Sequence, residues 1–189
     1  MPRTFENSSF EVVTKVDAAR RQLATAIELF FEGADAVAIR TLVGAAHEIL
    51  RTLVKRKGKG SILAENPLYT PELRAKVLKG IKRPYNFFKH ADKDPDARIR
   101  FRPELTEALL FDAILMYQEL DGPRLREANF FVPYFLLKHA EDLEGWPLAD
   151  DLSRMKSEEG GEADKGAFLL LLRKARATEG KNGTDTYLA

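Results

Sequence analysis

Arg83, Asn86 and His90 are the residues of this 189-residue chain whose types and spacing best suit chemistry at a phosphate. An arginine holds a phosphate through its planar guanidinium, and a histidine can move a proton near neutral pH. On a helix that begins at Pro84, Arg83 and His90 would project toward one side, with Asn86 on the same broad face. The pattern predicts a phosphodiester site. A solvated helix end, where the helix dipole favours a cationic histidine, is the alternative.

The residues that metal, thiol and triad chemistry require are missing from the sequence. The chain has no cysteine, which excludes disulfides, thiolate metal sites and cysteine nucleophiles. His47 is followed by Glu48 but has Arg51 four residues later, so the paired histidines of a zinc protease are missing. No histidine has a glutamate three residues before it, no serine or threonine sits in a strand-to-helix turn, and no glycine-rich phosphate loop is present. We therefore expect neither a metal nor a cofactor.

The middle of the chain is basic. Residues 51–102 contain fifteen Lys and Arg against five Asp and Glu, a balance of +10, whereas the rest of the chain carries −9. Lys76, Lys79 and Lys82 should be exposed on one helix, which suits a polyanion such as RNA or a nucleotide. Charges that are close in sequence need not form one surface, and a scattered arrangement is the alternative.

Apolar residues recur at helical spacing along most of the chain, which predicts an all-α protein. A short link at 33–35 predicts that the first two helices form an antiparallel hairpin. Gly80 and Pro84 should end or kink the third helix, which would leave Arg83 outside the next one. Residues 98–102 alternate basic and apolar, which predicts a short extended strap whose arginines face solvent or reach phosphates. The predicted helix starts lie near residues 12, 35, 70, 84, 103, 123 and 163.

The predicted organisation is one helical domain with a C-terminal appendage. We expect a loose N-terminus at 1–10, the domain at 11–149, a flexible linker at 150–163, a helix at 164–178 and a disordered tail at 179–189. The final helix would dock on the domain or on a partner chain. The N-terminus lacks the apolar core of a signal peptide, and no apolar run approaches the roughly 20 residues of a membrane span. These features predict a cytoplasmic protein with no membrane partner.

The motif around His90 resembles that of the HEPN superfamily, in which an Arg is followed after four to six residues by His. The run Asn-Phe-Phe-Lys-His-Ala-Asp at 86–92 is similar to the Asn-x-x-Lys-His-x-Asp form, and residues 42–51 resemble the Ala-rich, Glu-containing helix that precedes it. The resemblance covers about residues 12–120. It implies an up-down antiparallel bundle of about five to seven helices, to which this chain adds a C-terminal helix. It also implies a homodimer formed through the motif face.

The resemblance implies roles for individual residues. Arg83 would bind phosphate, His90 would act as acid and base, and Asn86 and Glu48 would orient the reacting groups. One form of the motif has Arg directly before Asn, where this chain has Tyr85. We therefore expect a HEPN-like module that binds RNA, a nucleotide or a partner protein with little or no catalysis. A metal-independent endoribonuclease of a toxin, defence or RNA-processing system is the alternative, and a purely structural assembly protein is the second. The residues expected to bind are Lys76, Lys79, Lys82, Tyr85 and Lys89.

Overall fold

The computed structural model describes residues 10–92, 94–143 and 163–182. Within these ranges the chain forms six α-helices, one 3-10 turn and no strand, which confirms the predicted all-α helical bundle. Most of the predicted N-terminal segment, linker and tail lie outside the described residues. The helices are α1 (Lys15–Phe31), α2 (Ala36–Arg56), α3 (Pro71–Lys89), α4 (Leu105–Gln118), α5 (Ala128–Lys138) and α6 (Lys165–Asn182), and the 3-10 turn is Ala140–Leu143.

Helices α1 and α2 form the predicted hairpin. Thr14 caps α1 in a reciprocal capping box with Asp17, and the Asp35 carboxylate caps α2 by accepting from the first-turn amides. Gly33 adopts a φ of 68°, which lets the chain turn between the helices without the steric cost that a side chain would bring. Since only residues 32–35 connect two long helices that pack together, α1 and α2 run antiparallel.

The core is built around α4. Leu109, Leu110 and Ile114 are almost fully buried on this helix, and polar Asp112 is buried among them. Each such aliphatic side chain contributes roughly 1.5–3 kcal/mol through burial. The apolar stripes of α1, α2 and α5 meet the same core, with Leu23, Ile27, Val43, Leu50, Phe131 and Tyr134 among its largest buried side chains.

The C-terminal helix α6 docks on the bundle itself. Phe168 stacks on Phe31 of α1 with ring centroids 6.0 Å apart and meets Tyr134 of α5 edge to face. Leu172 is only 3% exposed, and Arg176 pairs with Glu28 and Glu127. The choice left open by the sequence, between the domain and a partner chain, is therefore decided for docking within the chain.

Helix α3 is the main departure from the sequence prediction. It runs from Pro71 to Lys89 as one helix, so the prediction that Gly80 and Pro84 end it, with Arg83 left outside the next helix, is wrong. Pro84 lacks an amide and cannot donate to the Gly80 carbonyl, at a cost of about 3 kcal/mol in an isolated helix. Tertiary contacts compensate: α3 packs along α2, and Nη2 of the buried Arg40 donates to the Ile81 carbonyl at 3.0 Å.

The residues after α3 follow the predicted strap. Ile99 and Phe101 are half-buried, whereas Arg98, Arg100 and Arg102 are exposed. Phe101 packs edge to face on Phe88 at the end of α3, with ring centroids 5.2 Å apart. The strap thereby covers the C-terminal turn of α3 and brings Arg98 toward it.

Candidate functional site

One side of α3 and the segment after it form an open cleft of about 720 Å³, here called the Arg83 cleft. Helix α3 supplies Lys79, Lys82, Arg83, Asn86 and Phe87, and the exit segment supplies His90, Asp92, Asp94, Ala97 and Arg98. The three residues that the sequence singled out for phosphate chemistry thus lie in a single cleft.

The uninterrupted helix explains why these side chains meet. Lys79, Arg83, Asn86 and His90 follow one another at steps of four, three and four residues, which places them in one stripe along α3. His90 is the C-cap, with φ −130° and ψ 132°, so its backbone has already left the helix. Arg83 lies within the helix, one turn before Asn86, and both Arg83 and His90 are exposed.

Positive charge predominates in the cleft. Lys82 pairs with Glu48 at 3.2 Å, but within the described part of the chain Lys79, Arg83 and Arg98 have no ion-pair partner. Asp92 and Asp94 contribute two carboxylates at the exit of the cleft. Four cations thus face two carboxylates, and three of the cations are available to an anionic ligand.

Glu48, which the sequence assigned to orient the reacting groups, does not line the Arg83 cleft. It lies in a narrow neighbouring groove between α2 and α3, of about 50 Å³, together with Arg51 and Tyr85. Its carboxylate accepts from Lys82, and Lys82 lines both the groove and the cleft. Glu48 therefore reaches the site only through Lys82.

The five predicted binding residues divide into three groups. Lys79 and Lys82 line the Arg83 cleft, whereas Lys76 is exposed beyond it. The Tyr85 ring packs on α2, and Nζ of Lys89 lies 3.6 Å from the centre of that ring in a cation–π contact. Tyr85 and Lys89 thus hold α3 and its C-terminal turn rather than facing the cleft.

The cleft provides charge but little orientation for proton transfer. A general base works when hydrogen bonds hold it at the proton it removes. Among the residues that the structure describes, none donates to or accepts from the His90 ring. The arrangement is suited to binding phosphates. For proton transfer, a bound substrate would have to orient the His90 imidazole.

A buried polar network behind the site escaped the sequence interpretation. The Asp112 carboxylate on α4 accepts from the Ser61 hydroxyl at 2.6 Å and from the Ile62 amide at 2.8 Å, and it lies 2.8 Å from Nε2 of His47. Ser61 donates to Asp112 and not to His47, and all three residues are at most 3% exposed, so the group is no catalytic triad. It fastens the loop between α2 and α3. The single acid within the apolar run 109–116 was the available signal, because a buried carboxylate needs donors.

Arg40 supports α3 from behind. Arg40 is 4% exposed, and its guanidinium donates to the carbonyls of Ile81 and Leu105, at 3.0 and 3.5 Å. Burial lowers the pKa of Arg40 to about 10, because the charged form loses its hydration. No carboxylate pairs with it among the described residues, so this arginine ties backbone segments together.

The described residues contain no group of three or more potential metal ligands. Among the described helices, none combines the length and apolarity that a membrane crossing requires. No known protein family, curated protein or solved structure matches this chain. The functional argument therefore depends on the geometry and charge of the site.

Proposed function

We propose that this protein binds single-stranded RNA in the Arg83 cleft. The observation that supports the proposal is the continuity of α3 through Pro84, which puts Arg83, Asn86 and His90 on one stripe. The stripe faces a cleft whose cations Lys79 and Arg83 have no ion-pair partner within the described part of the chain. Unpaired arginine and lysine side chains in a concave surface are suited to phosphate oxygens.

Single-stranded RNA matches the remaining wall of the cleft better than a compact phosphate does. The half-buried ring of Phe87 offers an apolar face on which a base could stack, and Asn86 offers both a donor and an acceptor for a base edge or a 2′-hydroxyl. The HEPN-like arrangement of Arg83, Asn86 and His90 also suggests RNA rather than DNA. Binding is the primary proposal because nothing in the described cleft orients His90 for catalysis.

Fluorescence anisotropy with a labelled twelve-nucleotide oligouridine, measured across a salt series, tests the binding proposal. Arg83→Ala should weaken binding and reduce the magnitude of the slope of log affinity against log salt by about 0.7, the contribution of one phosphate contact to a single strand. Lys79→Ala should have a similar effect, since both side chains face the same cleft.

Lys174→Ala is the matched control. Lys174 is an exposed lysine on α6, which packs on α1 and α5, so its removal changes the net charge equally without touching the cleft. Equal losses in Lys174→Ala and Arg83→Ala would mean that general charge, not this cleft, attracts RNA. Absence of any RNA binding by the unchanged protein would overturn the proposal.

Cleavage of the bound strand is a second candidate, because Arg83 and His90 line one cleft. In that reaction the ribose 2′-oxygen attacks phosphorus, the bond from phosphorus to the 5′-oxygen breaks, and a 2′,3′-cyclic phosphate and a 5′-hydroxyl form. His90 would remove the 2′-hydroxyl proton or protonate the leaving oxygen, and Arg83 would stabilise the charge on the phosphoryl oxygens.

The cleavage assay uses end-labelled RNA with EDTA present. If the second candidate holds, His90→Ala abolishes product formation and retains binding, and a 2′-O-methyl strand is bound but not cut. Cleavage that survives in both His90→Ala and Arg83→Ala would come from another site or from a contaminant.

A further inference from the structure

A second cationic cleft lies at the opposite end of α3. It is formed by the C-terminal end of α2, the loop that follows and the first turn of α3, and it encloses about 620 Å³. Its charged lining consists of Arg51, Lys55, Lys59 and Arg74 against the single carboxylate of Glu65. We name it the Arg74 cleft.

The pairing within the Arg74 cleft leaves positive charge in excess. Glu65 is used by Arg51 and by the amide of Ser61, and Lys59 lies 3.4 Å from Glu119. Nε of Arg74 is buried without a hydrogen-bond partner in the described structure, which is costly for a guanidinium group. Lys55 also has no ion pair among the described residues. An anion in this cleft would meet Lys55 and Arg74, two cations that have no ion pair among the described residues.

A narrow groove of about 50 Å³ borders both clefts. The narrow groove between α2 and α3 shares Arg51 with the Arg74 cleft and Lys82 with the Arg83 cleft. Along α3, Arg74 and His90 are sixteen residues apart, which corresponds to about 24 Å at 1.5 Å per residue. A path that crosses this distance between the two clefts would have unpaired cations at both ends.

We propose that one RNA strand follows this path, with phosphates bound in both clefts. The inference rests on the proposed function and extends it by naming the substrate class, a single strand long enough to reach both clefts. Modules that bind single strands typically cover on the order of 4–16 nucleotides, and a path of this length falls within that scale. A short oligonucleotide would occupy only one cleft.

Binding measured with strands of different lengths distinguishes a strand that reaches both clefts from one that occupies the Arg83 cleft alone. Anisotropy with four- and twelve-nucleotide oligouridines should give roughly tenfold or more tighter binding of the longer strand, because the second set of phosphate contacts forms on a strand that is already bound. Arg74→Glu and Lys55→Glu should remove most of this gain while the four-nucleotide strand binds within about twofold of the unchanged protein. Arg83→Glu should weaken both strands.

Controls keep the test decisive. Lys55 is exposed, so Lys55→Glu provides a variant whose fold should survive even where Arg74→Glu is destabilised, and circular dichroism with thermal melting checks both. Lys174→Glu is the matched charge reversal on α6. It should lower the affinities for the two strands by the same factor and leave the length gain intact.

Two outcomes would overturn the path. If the longer strand keeps its advantage in both Lys55→Glu and Arg74→Glu while Arg83→Glu still loses binding, the Arg83 cleft binds RNA alone. If inorganic phosphate or ATP binds the Arg74 cleft with sensitivity to Arg74→Glu and the strand shows no length gain, the Arg74 cleft is a separate small-anion site. Failure of the proposed function itself would give a different result: Arg83→Glu would leave the affinity for RNA unchanged.

Discussion

The ring of Tyr85 lies directly against Gly44, and this contact sets the distance between α3 and α2. A Cβ atom built at Gly44 would lie 2.7 Å from Cγ and Cδ2 of Tyr85, closer than carbon atoms normally approach. No residue of α3 is fully buried, and α2 is the helix against which it packs most extensively among the described elements. The helix that carries both proposed clefts is thus positioned by a glycine on the helix beside it.

Gly44→Ala should destabilise the protein by roughly 1–3 kcal/mol, because the methyl group displaces Tyr85 and with it α3. Gly80→Ala is the matched control, since nothing lies within 4 Å of a Cβ at Gly80. That change should stabilise the protein by about 0.5–1 kcal/mol through the better helix propensity of alanine. Urea denaturation measures the free energy of unfolding of both variants. An equal change in Gly44→Ala and Gly80→Ala would contradict the close contact between Gly44 and Tyr85.

Pro84→Ala should stabilise the protein and increase its helical circular dichroism. The alanine restores an amide that can donate to the Gly80 carbonyl and removes the clash of the proline ring, which together cost about 3 kcal/mol in a helix interior. Because α3 is already helical on both sides of Pro84, no rearrangement is needed. A lower melting temperature in Pro84→Ala would indicate that the proline sets a bend on which the packing of α3 relies.

Asp112→Ala should cost about 2–4 kcal/mol, because Ser61, Ile62 and His47 lose a shared partner inside the protein. The loop between α2 and α3 should then become sensitive to proteases at residues 57–67. Ser61→Ala removes one donor to Asp112 and the acceptor of the buried Ala64 amide, and it should cost about 1–3 kcal/mol. Asp121→Ala, at a fully exposed acid, serves as the control and should leave the unfolding midpoint nearly unchanged. Equal effects at Asp112 and Asp121 would contradict the network.

Leu172→Ala should cost about 2–5 kcal/mol, since this side chain of α6 is 3% exposed against the core. The neighbouring Leu171 is 51% exposed, and Leu171→Ala should change stability by no more than about 0.5 kcal/mol. Chemical denaturation of the two variants tests whether α6 docks within the chain in solution. Identical small effects would mean that α6 is detached there.

Tyr117 provides a pH test of the packing beside the α4–α5 link. Its side chain is buried and its hydroxyl donates to the Pro123 carbonyl, and burial raises the pKa of Tyr117 above the usual 10.0. The folded protein therefore binds the phenolic proton more tightly than the unfolded chain. The resulting stability is fully present below pH 10 and is lost as the pH rises through the folded pKa. The unchanged protein should melt at a higher temperature than Tyr117→Phe below pH 10, and this difference in melting temperature should shrink above pH 10. A difference that does not change with pH would contradict a raised pKa of Tyr117.

Local patterns in the sequence determined much of this protein. The apolar periodicity predicted the helices, Asp35 and Thr70 marked two helix starts, and the alternation at 98–102 predicted a strap with its arginines outside. The spacing of Arg83, Asn86 and His90 selected the three residues that now share a cleft. These features were accessible because each depends on residues within a few turns of one another.

Only the tertiary structure decided whether those three residues belong to one helix. Intrinsic propensity favours a break at Gly80 and Pro84, but Arg40 and Gly44, both on α2, contact α3 on either side of Pro84, and the helix continues through it. Tertiary contacts also pair Glu48 with Lys82 and bury Asp112 with Ser61 and His47. Each of these partners lies more than thirty residues away along the chain, a distance at which neither spacing nor propensity carries information, because packing alone brings such residues together.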